Sequence, residues 1–158
     1  MKENIDETAS SASSTEYQRD SSGTAHCVVH AMTREVVSLS PHHNFADAVN
    51  LIANRHFRHF VVVDNGKIVG IVSDRDVLRG LARTDNWQSK EVSEFMTIEP
   101  ITVTPDTSLS VAIAKMLARR INCLPVVAVD GTVCGILTST DVLKSYQKVL
   151  ESMDLQPR

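Results

Sequence analysis

Gly70-Ile71-Val72-Ser73-Asp74-Arg75-Asp76 returns downstream as Gly135-Ile136-Leu137-Thr138-Ser139-Thr140-Asp141. Each copy reads as a glycine-led apolar strand that ends on a hydroxyl residue, with a carboxylate three positions later. A single [Ser/Thr]-x-x-Asp ahead of a helix is an ordinary capping arrangement, in which the hydroxyl accepts a first-turn N–H and the acid reaches back. Its duplication decides the fold, because both copies occupy matched positions of a much longer repeat.

Working outward, Val28-Val29-His30-Ala31-Met32-Thr33 aligns with Val92-Ser93-Glu94-Phe95-Met96-Thr97 at an offset of 64. At that offset Ser40-Pro41 falls on Thr104-Pro105, Phe45 on Leu109, and Phe60-Val61-Val62-Val63 on Leu124-Pro125-Val126-Val127. One residue is then inserted before the second turn, so Gly70 and Asp76 match Gly135 and Asp141 at an offset of 65. A unit this long, present twice, is a duplicated domain and not a solenoid array.

Within each copy the periodicities alternate. Val36–Leu39 and Ile101–Val103 are short apolar runs that end near a proline, which predicts strands. Phe45, Ala48, Val49 and Ile52 form an i, i+3, i+4, i+7 stripe, as do Leu109, Ala112, Ile113, Met116 and Leu117. Both stripes predict amphipathic helices with a core-facing side, N-capped by Asn44 and Ser108. Phe60–Val63 and Leu124–Val129 are β-branched runs too short for helices. Asn65-Gly66 and Asp130-Gly131 then predict tight hairpins into the returning strands Lys67–Val72 and Thr132–Leu137. A closing helix runs from Asp74 to about Ala82 and from Ser139 to about Leu150. Each repeat is therefore β-α-β-β-α, and the fold class is α+β.

Composition narrows the function. The chain of 158 residues is 42% apolar and 22% charged, ordinary for a globular protein. A net charge of −3 and only 4% aromatic residues argue against a nucleic-acid partner, which would favour a basic face or a stacking platform. Cys27, Cys123 and Cys134 form no CxxC pair, which fits buried thiols in a reducing cytoplasm. No run approaches the ~20 apolar residues that cross a bilayer. Residues 1–25 are Ser-, Thr- and Glu-rich without the apolar core of a signal peptide, and are expected to form a flexible polar tail. The polar stretch 83–91 links the copies, and its lone Trp87 is expected to pack over a helix end.

The repeated hydroxyl and aspartate have a chemical use besides capping. A helix N-terminus presents free N–H groups and a positive dipole end that attract phosphate or ribose oxygens. A carboxylate one turn into such a helix can accept both hydrogens of a ribose cis-diol. Gly70 and Gly135 would let a neighbouring strand approach closely.

Taken together, Met-Thr, a short apolar strand, Ser/Thr-Pro, an amphipathic helix, Val-Val-Val-Asp or Pro-Val-Val, Asn/Asp-Gly and Gly-Ile-Val-Ser-x-x-Asp resemble the cystathionine β-synthase (CBS) domain. Two copies resemble the tandem CBS pair, or Bateman module, over about residues 28–150. The organisation expected is a tail over 1–25, a first CBS repeat over 26–82, the linker 83–91, a second repeat over 92–150 and a C-terminal tail over 151–158. The resemblance implies two repeats packed about a pseudo-two-fold axis with two clefts between them, and a pair that dimerises. It implies regulation of a partner protein through adenosine-containing ligands, with no catalytic residue, no cofactor and no resident metal.

Carried over residue by residue, Asp76 and Asp141 match the family's ribose-binding aspartates, with Ser73 and Thr138 as the hydroxyls beside them. Val37 and Ile101 match positions that pack on adenine. Phe57-Arg58-His59 and Ile121-Asn122-Cys123 match segments that line base and phosphates. Arg58 and His59 fall where some members place a basic pair that reaches phosphates across the cleft, and Arg75, Arg120 and Thr140 complete the two mouths. Because Asn122-Cys123 replaces Arg58-His59 in the second copy, the clefts are expected to differ in affinity. The positive charge favours AMP, ADP or ATP over S-adenosylmethionine or NADH.

Two other classes compete. His26, Cys27, His30, His42, His43, His56 and His59 include an i, i+4 pair but no complete ligand set for a structural metal. No nucleophile elbow, P-loop or HExxH is present, so catalysis is not expected. The alternative to a nucleotide sensor is a ligand-independent dimeric adaptor with vestigial clefts.

Overall fold

The computed structural model describes residues 26–55 and 57–154. The polar tail expected over 1–25, His56 and the end of the 151–158 tail lie outside the described residues. A short helix α1 (Val28–Ala31) leads to strand β1 (Ser38–Leu39), helix α2 (Phe45–Arg55), the hairpin β2 (His59–Asp64) and β3 (Lys67–Ser73), and helix α3 (Asp74–Arg83). Single 3-10 turns at Trp87–Ser89 and Val92–Glu94 carry the chain to β4 (Thr97–Ile98) and α4 (Leu109–Arg119). The hairpin β5 (Cys123–Val127) and β6 (Val133–Thr138) and helix α5 (Ser139–Asp154) follow. The α+β reading and the duplication both hold.

The two hairpins close differently, and the difference is the inserted residue. Asn65 and Gly66 both have positive φ (48° and 77°), which gives a two-residue turn between paired Asp64 and Lys67. This is the turn whose twist matches that of the strands. In the second copy the Ala128 N–H donates to the Thr132 carbonyl (2.8 Å) and the Gly131 N–H to the Ala128 carbonyl (2.9 Å). Only Gly131 of that turn has a positive φ, 84°. The connection is thus a three-residue loop, not the two-residue one that Asp130-Gly131 suggests. The two tips meet, with Lys67 Nζ 3.6 Å from Asp130 Oδ2.

The leading strands also differ. The run Val36–Leu39 shortens to β1, parallel to β2 through Ser38–Val61 and Leu39–Val62. The run Ile101–Val103 keeps only a parallel bridge, in which the Val103 N–H donates to the Pro125 carbonyl (3.1 Å) and the Val127 N–H to the Val103 carbonyl (2.9 Å). Extending that ladder toward Ile101 would need an N–H from residue 125, which proline lacks. Val61, the matching residue of the first copy, has one.

Each repeat completes its sheet with a piece of the other. The four-stranded sheet runs β1-β2-β3-β4, and β4, from the start of the second repeat, pairs antiparallel with β3 through Gly70–Ile98 and Ile71–Thr97. Reciprocally, Thr33 bridges Ile136 beside the β5-β6 hairpin, through two backbone bonds of 2.9 Å. The cores follow the same exchange. Leu39, Phe45, Ala48, Phe60, Val62, Val72 and Val77 pack with Val92 from the second repeat, against Phe95, Met96 and Trp87. Val103, Leu109, Ala112, Met116, Leu124, Val126 and Leu137 pack with Val28 and Met32 from the first. Leu117, placed on the apolar stripe by its spacing, is 73% exposed.

Glycines sit where this exchange is tightest. A Cβ on Gly135 would lie 2.8 Å from the Thr33 carbonyl oxygen and 2.9 Å from Met32 Sδ, and one on Gly70 would meet the Met96 thioether. The Met-Thr pair and the Gly-Ile pair of the motif are therefore two sides of one contact. Gly80, inside α3, would place a Cβ 2.7 Å from Phe45 Cζ and 2.8 Å from Phe95 Cδ1. Its lower helix propensity is the cost of letting the stacked Phe45 and Phe95 rings lie against the helix.

Candidate functional site

Both hydroxyl–aspartate pairs form complete caps. At the start of α3 the Ser73 N–H (2.9 Å) and Oγ–H (2.6 Å) donate to Asp76 Oδ2, and Ser73 Oγ accepts the Asp76 N–H at 3.2 Å. At the start of α5 the Thr138 N–H (2.8 Å) and Oγ1–H (2.7 Å) donate to Asp141 Oδ2, and Thr138 Oγ1 accepts the Asp141 N–H at 3.3 Å. The helix starts where it does because Ser73 and Thr138 end their strands in extended backbone with a side-chain oxygen ready for the first turn. One carboxylate oxygen of each aspartate is thereby fixed.

The second oxygens have different surroundings. Asp76 Oδ1 lies 3.6 Å from the Arg79 guanidinium, one turn along α3, and the Asp76 side chain is 16% exposed. Asp141 Oδ1 accepts a hydrogen bond of 3.1 Å from the Thr33 hydroxyl, and Asp141 is 8% exposed. Neither Thr33 nor Arg79 was among the expected site residues. Arg79 was findable as a cation three residues beyond Asp76; Thr33 was findable only through the repeated Met-Thr, whose long-range partner the sequence does not name.

The segments before β2 and β5 come alongside these caps. The Asp74 N–H donates to the Arg58 carbonyl at 2.9 Å, and the Ser139 N–H to the Asn122 carbonyl at 3.0 Å. His59 pairs with Ser73, and Cys123 with Thr138. Phe57, Arg58, His59, Ser73, Arg75 and Asp76 are thus gathered in the first repeat, with Arg58 and Arg75 exposed. Phe57 is exposed and meets Phe60 edge-on. Arg120, Ile121, Asn122, Cys123, Thr138, Thr140 and Asp141 are gathered in the second. Arg120 has φ 52° and closes α4 in the left-handed conformation. With Ile121 and Asn122 it borders a shallow groove of about 350 Å³ between α4 and α5, whose lining does not include Asp141. Val37 packs on the first core and Ile101 on the second.

Burial separates the titrating groups. It pushes the His59 imidazole below its ordinary 6.5, against the pull of Asp74 and Asp76 and helped by Arg58. Burial thus disfavours a charge on His59, and the guanidinium placed beside Asp76 is that of Arg79, 3.6 Å from Oδ1, with Arg58 and Arg75 exposed in the flanking segments. Burial pushes the Cys123 thiol up to about 12, with the Asp141 charge adding to it. Cys123 is a core thiol, and no thiolate forms there near neutrality.

Two further histidines are engaged locally. His42 Nδ1 lies 3.2 Å from Glu91 Oε2, and His43 Nδ1 accepts the Ser40 N–H at 3.1 Å. Among the described residues no three His, Cys, Asp or Glu side chains converge as metal ligands. No helix among them is long and apolar enough to cross a membrane.

An exchanged, duplicated β-α-β-β-α unit with capped aspartates at matched positions defines a tandem CBS pair, and the CBS-domain family model matches residues 28–83 and 92–148. The chain belongs to the CBS-domain family. It resembles the AcuB-named protein of Vibrio cholerae (31% identity, TM-score 0.74, covering 84% of this chain and 98% of that one). It also resembles the CBS domain pair of protein MJ0100 in complex with 5-methylthioadenosine and S-adenosyl-L-methionine (25%, TM-score 0.72, 79% and 98%). CBSX2 from Arabidopsis thaliana in complex with AMP is similar at 28% identity and TM-score 0.71 (78% and 98%). Among curated relatives, inosine-5'-monophosphate dehydrogenase of Mycobacterium tuberculosis is 33% identical over 129 residues, 80% of this chain but 23% of that enzyme. The chain likewise spans 24% of the homoserine O-acetyltransferase of Methanococcus vannielii that it matches.

Proposed function

We propose that this chain is a regulatory module that binds adenosine nucleotides of the AMP, ADP or ATP class in the clefts of its CBS pair. The single observation that carries the reading is the pair of aspartates, each fixed at a helix N-terminus through Oδ2 so that Oδ1 can receive a ribose hydroxyl. Arg79 beside Asp76, with exposed Arg58 and Arg75 in the segments that flank the cap, favours phosphates over a sulfonium or a neutral nucleoside. Val37 and Ile101 supply apolar contacts for adenine. The AMP complex of CBSX2 and the adenosyl complexes of the MJ0100 pair support the ligand class.

In this reading the chain performs no catalysis and holds no cofactor. It acts as a homodimer in the cytoplasm, reporting adenylate levels to a partner protein. Dimerisation is supported by Leu143, Tyr146, Leu150 and Met153, which form an exposed apolar stripe along α5 beside exposed Leu117.

The test is a thermal-shift panel of AMP, ADP, ATP, NADH and S-adenosylmethionine on the full chain. A ligand at a hundred times its dissociation constant stabilises the fold by about 2.7 kcal/mol. The reading expects the phosphate-bearing adenosines to shift melting most, and a sedimentation mass near twice 17.4 kDa. The dimeric adaptor is the second reading, favoured by carboxylates already committed to caps. No shift with any ligand would leave the adaptor standing, and a monomer mass would remove the dimer from both.

A further inference from the structure

Asp76 and Asp141 are equivalent in sequence but do not offer the same number of acceptor positions. An ionised carboxylate has about four. At Asp76, Oδ2 uses two for Ser73, and the guanidinium near Oδ1 stands at 3.6 Å, beyond a hydrogen bond. Two positions remain for a ligand. At Asp141, Oδ2 uses two for Thr138 and Oδ1 uses a third for the Thr33 hydroxyl. One remains, and a cis-diol needs two.

The residue matching Thr33 in the other copy is Thr97, which pairs with Ile71 in the same register that Thr33 keeps with Ile136. Among the described residues, however, no hydroxyl other than that of Ser73 donates to Asp76. Lys144 stands where α3 has Arg79, and no ion pair forms between Lys144 and Asp141 among the described residues.

We propose that Thr33 sets the affinity and ribose selectivity of the Asp141 cleft by holding an acceptor position that a ribose diol needs. This rests on the reading of the aspartates as ribose acceptors. Full engagement of a ribose at Asp141 requires the Thr33 hydroxyl to turn away. That movement needs only a χ1 rotation, because the Thr33 backbone stays held by its two bonds to Ile136 and its exposed side chain can turn to water. The Asp76 cleft has no such competitor and reads both ribose hydroxyls at once. Thr33 is a specificity-determining residue that the first repeat's leading segment supplies to the second repeat's site.

The test uses AMP and 2'-deoxy-AMP, titrated calorimetrically into the full chain carrying Asp76→Asn, so that only the Asp141 cleft keeps its carboxylate. Adding Thr33→Val frees the acceptor and should tighten AMP by about tenfold, the order of one hydrogen bond to a charged group. Binding of 2'-deoxy-AMP, which presents a single ribose hydroxyl, should change little, so the AMP preference rises by the same factor. Thr33→Ser keeps the hydroxyl and should restore the unsubstituted selectivity. If Thr33→Val tightens neither ligand, or tightens both equally, the competition between Thr33 and ribose is overturned while ribose binding stands. If the unsubstituted chain and both single Asp→Asn proteins bind no AMP, the ribose reading fails, and this proposal with it.

Discussion

Asp141→Ala should melt roughly 10 °C below the unsubstituted chain, even without any ligand. The substitution removes the acceptor for three donors at once: the Thr138 N–H, the Thr138 hydroxyl and the Thr33 hydroxyl. Loss of an N-terminal cap costs about 1 kcal/mol, and hydrogen bonds to a charged group about 1.5–3 kcal/mol. Because the bonds are cooperative and Thr138 can still cap residue 141, a net loss of about 3 kcal/mol is expected rather than the sum. In a domain of this size that is a shift on the order of 10 °C. Asp141→Asn keeps one oxygen for the Thr138 donors and should lose less than half as much. Asp76→Ala should also lose less, since its carboxylate is more exposed and no second hydroxyl depends on it. Melting points of all three variants equal to that of the unsubstituted chain, read by calorimetry, would mean that the caps contribute nothing and that the aspartates are kept for a ligand alone.

Gly135→Ala is the second large effect, and it acts on the exchange between repeats. The added methyl meets a backbone oxygen, that of Thr33, at 2.8 Å, and Met32 Sδ at 2.9 Å. A side chain could swing aside, but the Thr33 carbonyl is itself bonded to the Ile136 N–H. The leading segment has to move away, opening the bridge. Overpacking of this kind costs about 1–3 kcal/mol, and the loss here belongs at the upper end because backbone bonds go with it. Gly70→Ala should cost less, since its closest neighbour is the flexible Met96 thioether and the Thr97 carbonyl lies at 3.1 Å. Hydrogen exchange should show the Thr33 and Ile136 amides losing protection in Gly135→Ala ahead of the rest of β6. Unchanged protection at both amides would contradict the account of the exchange.

The sequence makes the repeated unit legible because its signals are local. Helical stripes, β-branched runs and Asn65-Gly66 each act over a few residues, and the hydroxyl-x-x-Asp caps formed as their spacing requires. Trp87, expected over a helix end, packs against the first core. The exchange of leading segments was not legible, because Thr33 and Asp141 lie 108 residues apart and no periodicity links them. Thr33, the residue that most distinguishes the two aspartates, therefore carries no local signal that ties it to Asp141. The loss of the second leading strand was legible only as a departure, Pro125 for Val61, whose meaning depends on which way the missing N–H would point. Leu117 fitted a helical stripe yet faces outward, since a stripe this wide covers both a core face and an exposed one.

Ribose binding by Asp76 and Asp141 is what joins the caps to the proposed function. It is tested most directly by titrating AMP calorimetrically into the unsubstituted chain and into the Asp76→Asn/Asp141→Asn protein, which keeps an acceptor for each cap. Binding to the first is expected, with a tighter and a weaker event, and no measurable heat with the second at the same melting temperature within a few degrees. Equal AMP binding by both proteins, or none by the unsubstituted chain, would contradict it.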